Sequence, residues 1–108
     1  MKEWLFKNLM ILLIMKLLDF YADWCGPCKV LSKTFEQFSK KHPDVPIIKI
    51  NIEEEEEKAE AWGVRNIPSV FLIDDTIQGT EPNFIRKFVG IKTLKDLEEF
   101  VYEDSTRK

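Results

Sequence analysis

The chain is short of cysteine, histidine and glycine, with two, one and four of them in 108 residues. Two cysteines are too few for a disulfide-dense secreted scaffold or for a four-cysteine zinc site. The lone histidine, His42, follows Cys25 and Cys28 like a third zinc ligand, but no second histidine completes a finger. Standing before Pro43, it reads instead as a surface residue that ends a helix. Positive charge is not in excess either. Sixteen Lys and Arg face 19 Asp and Glu, a net charge of −3. That argues against nucleic-acid binding, which is driven by basic patches on phosphate. Long apolar runs are also missing. Residues 9–15 are unbroken, but Lys7 and Lys16 bracket them, whereas a membrane span needs about 20 apolar residues. No small-residue cleavage site follows, so a short helix over 2–8, turned at Asn8, is expected to lead into a buried strand over 11–22. Met10 and Met15 are further candidate start sites.

What is present is a core. Apolar residues make up 44% of the chain, with eight Phe and three Trp among its aromatics, enough to exclude disorder and to fill one domain over 1–108. Cys28, Leu31, Phe35 and Phe38 recur at three- and four-residue steps, the stripe of a helix ending near Lys41. Ile47, Ile48, Ile50 and Ile52 form a β-branched run, a strand. Residues 54–62 read as a second helix capped by Gly63, with Glu53 to Glu57 mostly in its solvated first turn. A third strand is expected over 70–73, a loop over 74–82 and a fourth strand over 83–89. Thr93 reads as the N-cap of a closing helix bearing Leu94, Leu97 and Val101. Strands alternating with helices imply parallel pairing, and the last two strands, joined by a loop alone, should be antiparallel.

Both cysteines fall in Trp24-Cys25-Gly26-Pro27-Cys28, between the first strand and the long helix. A helix N-terminus offers unpaired N–H groups and the positive end of the helix dipole, and both favour a thiolate. Cys25, at or just before the first turn, is therefore the expected attacking sulfur. Cys28, one turn inside on the apolar stripe, is the expected resolving thiol. Pro27 suits the first turn, where its missing N–H costs nothing. Gly26 lets a substrate chain come close. A purely structural disulfide across so short a loop would add little stability, so a cycling redox pair is the better reading.

Trp24 to Lys29 after an apolar strand, with Ile67-Pro68 some 40 residues on, resembles the thioredoxin family over about 16–104. The resemblance implies an α/β fold with a central mixed sheet of four strands flanked by about four helices. The family's N-terminal edge strand would be missing or vestigial, because only about 15 residues precede the central strand. It implies a thiol–disulfide oxidoreductase that reduces protein disulfides. Such a protein needs no metal or organic cofactor, draws electrons from a separate thioredoxin reductase-type donor, and works as a cytoplasmic monomer without stable membrane association. Asp19 matches the family's buried acid, which exchanges a proton with Cys28; burial should raise its pKa. Lys49 matches the lysine that faces this acid and tunes it. Pro68 matches a cis-proline beside the sulfurs, with the Ile67 backbone free to pair with an extended substrate. Gly90 matches a glycine on the substrate-facing rim, and Trp24 should cover the sulfurs from one side. Tyr21, Ser69 and the long 74–84 loop depart from the family pattern. The other readings are a thioredoxin-fold binding module, in which the cysteines would be idle, and a membrane-tethered or exported exchange protein using the N-terminal apolar run.

Overall fold

A computed structural model describes residues 15–74 and 82–103. The helix expected over 2–8, the start of the first strand and most of the 74–82 loop lie outside the described residues. The elements are β1 (Met15–Tyr21), α1 (Gly26–Lys41), β2 (Ile47–Asn51), α2 (Glu56–Ala61), β3 (Ser69–Asp74), β4 (Arg86–Val89) and α3 (Leu94–Tyr102). The strands form a mixed sheet in the order β2-β1-β3-β4. Alternation along β1 sends Leu17 to one face of the sheet and Leu18 and Phe20 to the other. Leu17 packs with Leu31, Phe35 and Phe38 of α1 and Leu97, Phe100 and Val101 of α3. Leu18 and Phe20 pack with Ala59 of α2, Ile50 and Phe71. The stripe read from the sequence is the buried face of α1: Cys28, Leu31, Phe35 and Phe38.

One expectation of the sheet fails. β1 and β2 are parallel, but β3 runs antiparallel to β1 although a helix precedes it. A helix of six residues spans about 9 Å, roughly half the length of a typical strand. It carries the chain across the sheet's end without returning it to the other end. β3 and β4 are antiparallel as expected. The consequence is functional. The C-terminal ends of β1, β2 and β4 and the N-terminal end of β3 all meet at one edge of the sheet.

Three local readings are also corrected. α2 starts at Glu56, with Glu55 as its N-cap, so Glu53 and Glu54 lie in the preceding turn. That turn is built by Asn51, whose side chain accepts from Glu53 N–H at 2.8 Å and whose carbonyl accepts from Glu54 and Glu55. β4 starts at Arg86, not at residue 83, although Ile85 N–H already donates to Leu72 at 2.8 Å. His42 does end α1, its N–H donating to Phe38, but it is half-buried rather than a surface residue. Its ring sits between Phe38 and Tyr102 and bonds Glu98 of α3 at 2.6 Å. This bond to His42 is the main reason the Glu98 carboxyl is held below the usual carboxylate range.

Thr93 caps α3 as read, its hydroxyl accepting from Asp96 N–H at 3.1 Å. Thr93→Ala is expected to cost about 1 kcal/mol, and urea denaturation should show an earlier midpoint with an unchanged slope. No helix among the described residues is long and apolar enough to cross a membrane.

Candidate active site

The site begins where β1 ends. Cys25 N–H donates to Ala22 at 3.2 Å, closing a tight turn that delivers Cys25 to the start of α1. Cys25 is the N-cap, in extended backbone geometry. Its Sγ accepts from Cys28 N–H at 3.2 Å, one of the orphan donors of a helix start. Pro27 lies in the first turn, where no partner is lost. Cys25 and Cys28 are joined as a disulfide, with Cα atoms 5.2 Å apart. Gly26 is exposed, and a side chain added there would meet nothing within 4 Å, so space beside the sulfurs stays open.

The shielding expected for Cys28 alone is not what the oxidised protein has. Both cysteines are buried, 4% and 6% exposed, in a small cluster with Ala22, Tyr21, Ile52 and Ile67. Their difference lies in polar contacts. Cys25 Sγ receives the helix N–H and lies 3.9 Å from the Ile67 carbonyl. Ile67 precedes Pro68 through a cis peptide bond. The Pro68 carbonyl accepts from Gly90 N–H at 2.9 Å, which ties the end of β4 to the sulfurs. Gly90 has φ +98°, a conformation that side chains disfavour, while the space around it is open. Its neighbours Val89 and Ile91 are exposed apolar residues, and with Trp24 they give this end of the sheet an apolar rim. Pro68 itself is fully buried beneath it.

Trp24 is no core residue. It is 66% exposed, and its indole N–H donates to Glu53 Oε2 at 2.9 Å. Glu53 went unnoticed in the sequence because it begins a run that reads as a solvated helix start. The available signal was its place directly after a strand parallel to the one preceding Trp24.

Asp19 lies on the face of β1 that α1 covers, two residues from Leu17. It is 2% exposed, and its Oδ1 has no hydrogen-bond partner. Burial pushes its carboxyl up to about 6, against the downward pull of the Lys49 charge. Lys49 stands directly opposite Asp19 in the parallel pair. It is also solvent-exposed, and its ammonium donates to Ser32 Oγ at 3.1 Å and lies 5.1 Å from the Tyr21 ring centre. Of the residues singled out in the sequence, Cys25, Cys28, Ile67, Pro68 and Gly90 are linked by direct contacts. Trp24, Gly26 and Pro27 adjoin them along the chain, and Asp19 and Lys49 pair in register.

A family model described as Thioredoxin matches residues 7–103. The chain belongs to the thioredoxin family. Thioredoxin from Chlamydia pneumoniae is 36% identical over 85 residues, covering 79% of this chain and 78% of the relative. Among solved structures, a mutant thioredoxin from Halobacterium salinarum superposes with a TM-score of 0.71 at 31% identity, over 87% of this chain and 77% of that one. Thioredoxin from Trichomonas vaginalis gives 0.70 at 28% identity, over 92% and 86%. With its cysteines paired at the head of α1, this thioredoxin-family chain is a thiol–disulfide oxidoreductase.

Proposed function

We propose that the protein reduces disulfides in other proteins, with Cys25 as the attacking and Cys28 as the resolving sulfur. The observation that carries this reading is the bond from Cys28 N–H to Cys25 Sγ at the helix start. In the reduced protein the same donor, with the helix dipole, favours a thiolate at Cys25. That thiolate attacks one sulfur of a substrate disulfide. A Cys25–substrate bond forms, the substrate's own S–S bond breaks, and the departing sulfur takes a proton from water. Cys28 then attacks the Cys25 sulfur. The Cys25–Cys28 bond closes, and the second substrate sulfur leaves as a thiol. Two electrons pass to the substrate, and a separate reductase-type donor must return them.

Asp19 is the proton acceptor for Cys28 in this second step. A carboxyl pushed up to about 6 is mostly ionised at neutral pH, ready to accept a proton, and is a strong enough base to hold it briefly and return it. Lys49, opposite in register, tunes it. Trp24, Gly26, Pro27, Ile67, Pro68 and Gly90 form the substrate seat. The exposed Trp24, Val89 and Ile91 offer apolar contact to an extended peptide whose backbone pairs at Ile67. The protein acts as a cytoplasmic monomer.

The direction of electron flow is tested by equilibrating the Cys25–Cys28 pair with glutathione buffers and counting thiols. Half-reduction is expected at a poise more reducing than that of the glutathione couple. A more oxidising midpoint would make the protein a disulfide donor.

A further inference from the structure

Lys49 has a choice of neighbours. It is in register with Asp19 on the adjacent parallel strand, and cross-strand partners in register point to the same face. The buried Asp19 Oδ1 nevertheless remains unpartnered. The Lys49 ammonium is spent elsewhere, on Ser32 Oγ at 3.1 Å and beside the Tyr21 ring. Ser32 lies one helical turn beyond Cys28, on the same side of α1. Ser32 and Lys49 both line an open groove of about 460 Å³ between α1 and β2, walled also by Phe35 and Ile47. The groove opens to solvent and Lys49 is exposed there, so the ammonium is screened and its field at Asp19 is weaker than a direct ion pair would give.

We propose that Ser32 is a positioning residue: its hydroxyl holds the Lys49 ammonium in the groove, away from Asp19, and so keeps the buried carboxyl unpaired and able to accept the Cys28 proton. The inference rests on the assignment of Asp19 and Lys49 made under the proposed function. The groups facing Asp19 from the neighbouring elements are few. Lys49 comes from β2 and Val70 stands opposite on β3. Lys29 and Lys33 of α1 are exposed, and Lys49 is the charge that acts on the carboxyl. Without the Ser32 acceptor, Lys49 can turn inward to the Asp19 carboxylate opposite it or outward to the exposed Glu36, which lines the same groove, and only the inward turn meets a carboxylate shielded from water. An ion pair there would hold the proton acceptor in its ionised, weakly basic form.

The test follows the Asp19 carboxyl by carbon NMR across pH in the oxidised protein, in wild type, Ser32→Ala, Ser32→Thr, Lys49→Met and the double variant Ser32→Ala with Lys49→Met. Ser32→Ala is expected to lower the Asp19 midpoint by about half a pH unit or more. Ser32→Thr keeps the hydroxyl and should stay at the wild-type value. Lys49→Met should raise the midpoint, and in its background Ser32→Ala should have no further effect. The pH profile of mixed-disulfide resolution should move in step with the midpoint in each variant. An unmoved or raised midpoint in Ser32→Ala, with Lys49→Met still effective, overturns the role of Ser32 alone. An unmoved midpoint in Lys49→Met overturns both this inference and the tuning role given to Lys49.

Discussion

Cys25→Ser is expected to lose the reduction of insulin by dithiothreitol, falling about a hundredfold or more, to the rate of the reagent alone. Cys28→Ser should lose turnover to a similar degree but leave a different product. Its Cys25 can still open the substrate disulfide, and no second sulfur is present to release it. The chain carries no third cysteine, so a covalent adduct at Cys25 should accumulate and be visible by non-reducing mass spectrometry. Equal activity of Cys25→Ser and wild type would end the enzymatic reading in favour of a binding module. An adduct formed by Cys25→Ser through Cys28 would reverse the two roles.

Asp19→Asn should make the protein more stable and less active at once. The Asp19 carboxyl titrates near 6 in the folded protein against 3.8 for an unperturbed group. Between those values the folded state binds more protons than the unfolded state. Stability therefore falls as pH rises through this window, and it is highest below it. At about 1.4 kcal/mol per unit the full loss is about 3 kcal/mol. The asparagine variant carries no buried charge. At pH 8 it is expected to be more stable than wild type by up to about 3 kcal/mol, and near pH 4 the advantage should vanish. Urea denaturation of the oxidised proteins at both pH values measures this. The resolving step should slow by about a hundredfold, the usual worth of a positioned proton acceptor. A stability gain that does not depend on pH, or a loss at pH 8, would contradict the assigned burial cost.

The helix α1 and its cysteines were legible because their signals are local. Cys28, Leu31, Phe35 and Phe38 mark a helical face by spacing alone, and Pro27 and the His42-Pro43 step mark its ends. The direction of β3 was not legible, since Val70, Phe71 and Leu72 alternate identically whichever way a strand runs. Orientation was decided by the brevity of α2, and the run of glutamates blurred where that helix starts. Lys49 was readable both as an exposed alternating residue and as a residue facing Asp19, and the structure places it exposed and in register with the acid. The long side chain stands in register with the acid while its ammonium reaches water and Ser32. The Trp24–Glu53 and Lys49–Ser32 bonds join residues 29 and 17 positions apart, and nothing in local pattern announces such pairs. The family resemblance supplied Asp19, Pro68 and Gly90. The structure adds what ties them together, the contacts from Cys25 through Ile67 and Pro68 to Gly90.

The central claim is that the two sulfurs are chemically unequal because Cys25 caps the helix. Alkylation of the fully reduced protein by limiting iodoacetamide across pH 5–9, followed by peptide mapping, tests it most directly. The expected result is modification at Cys25 alone at the low end of that range, with Cys28 reacting only well above it. Equal modification of both cysteines, or Cys28 reacting first, would contradict the assignment.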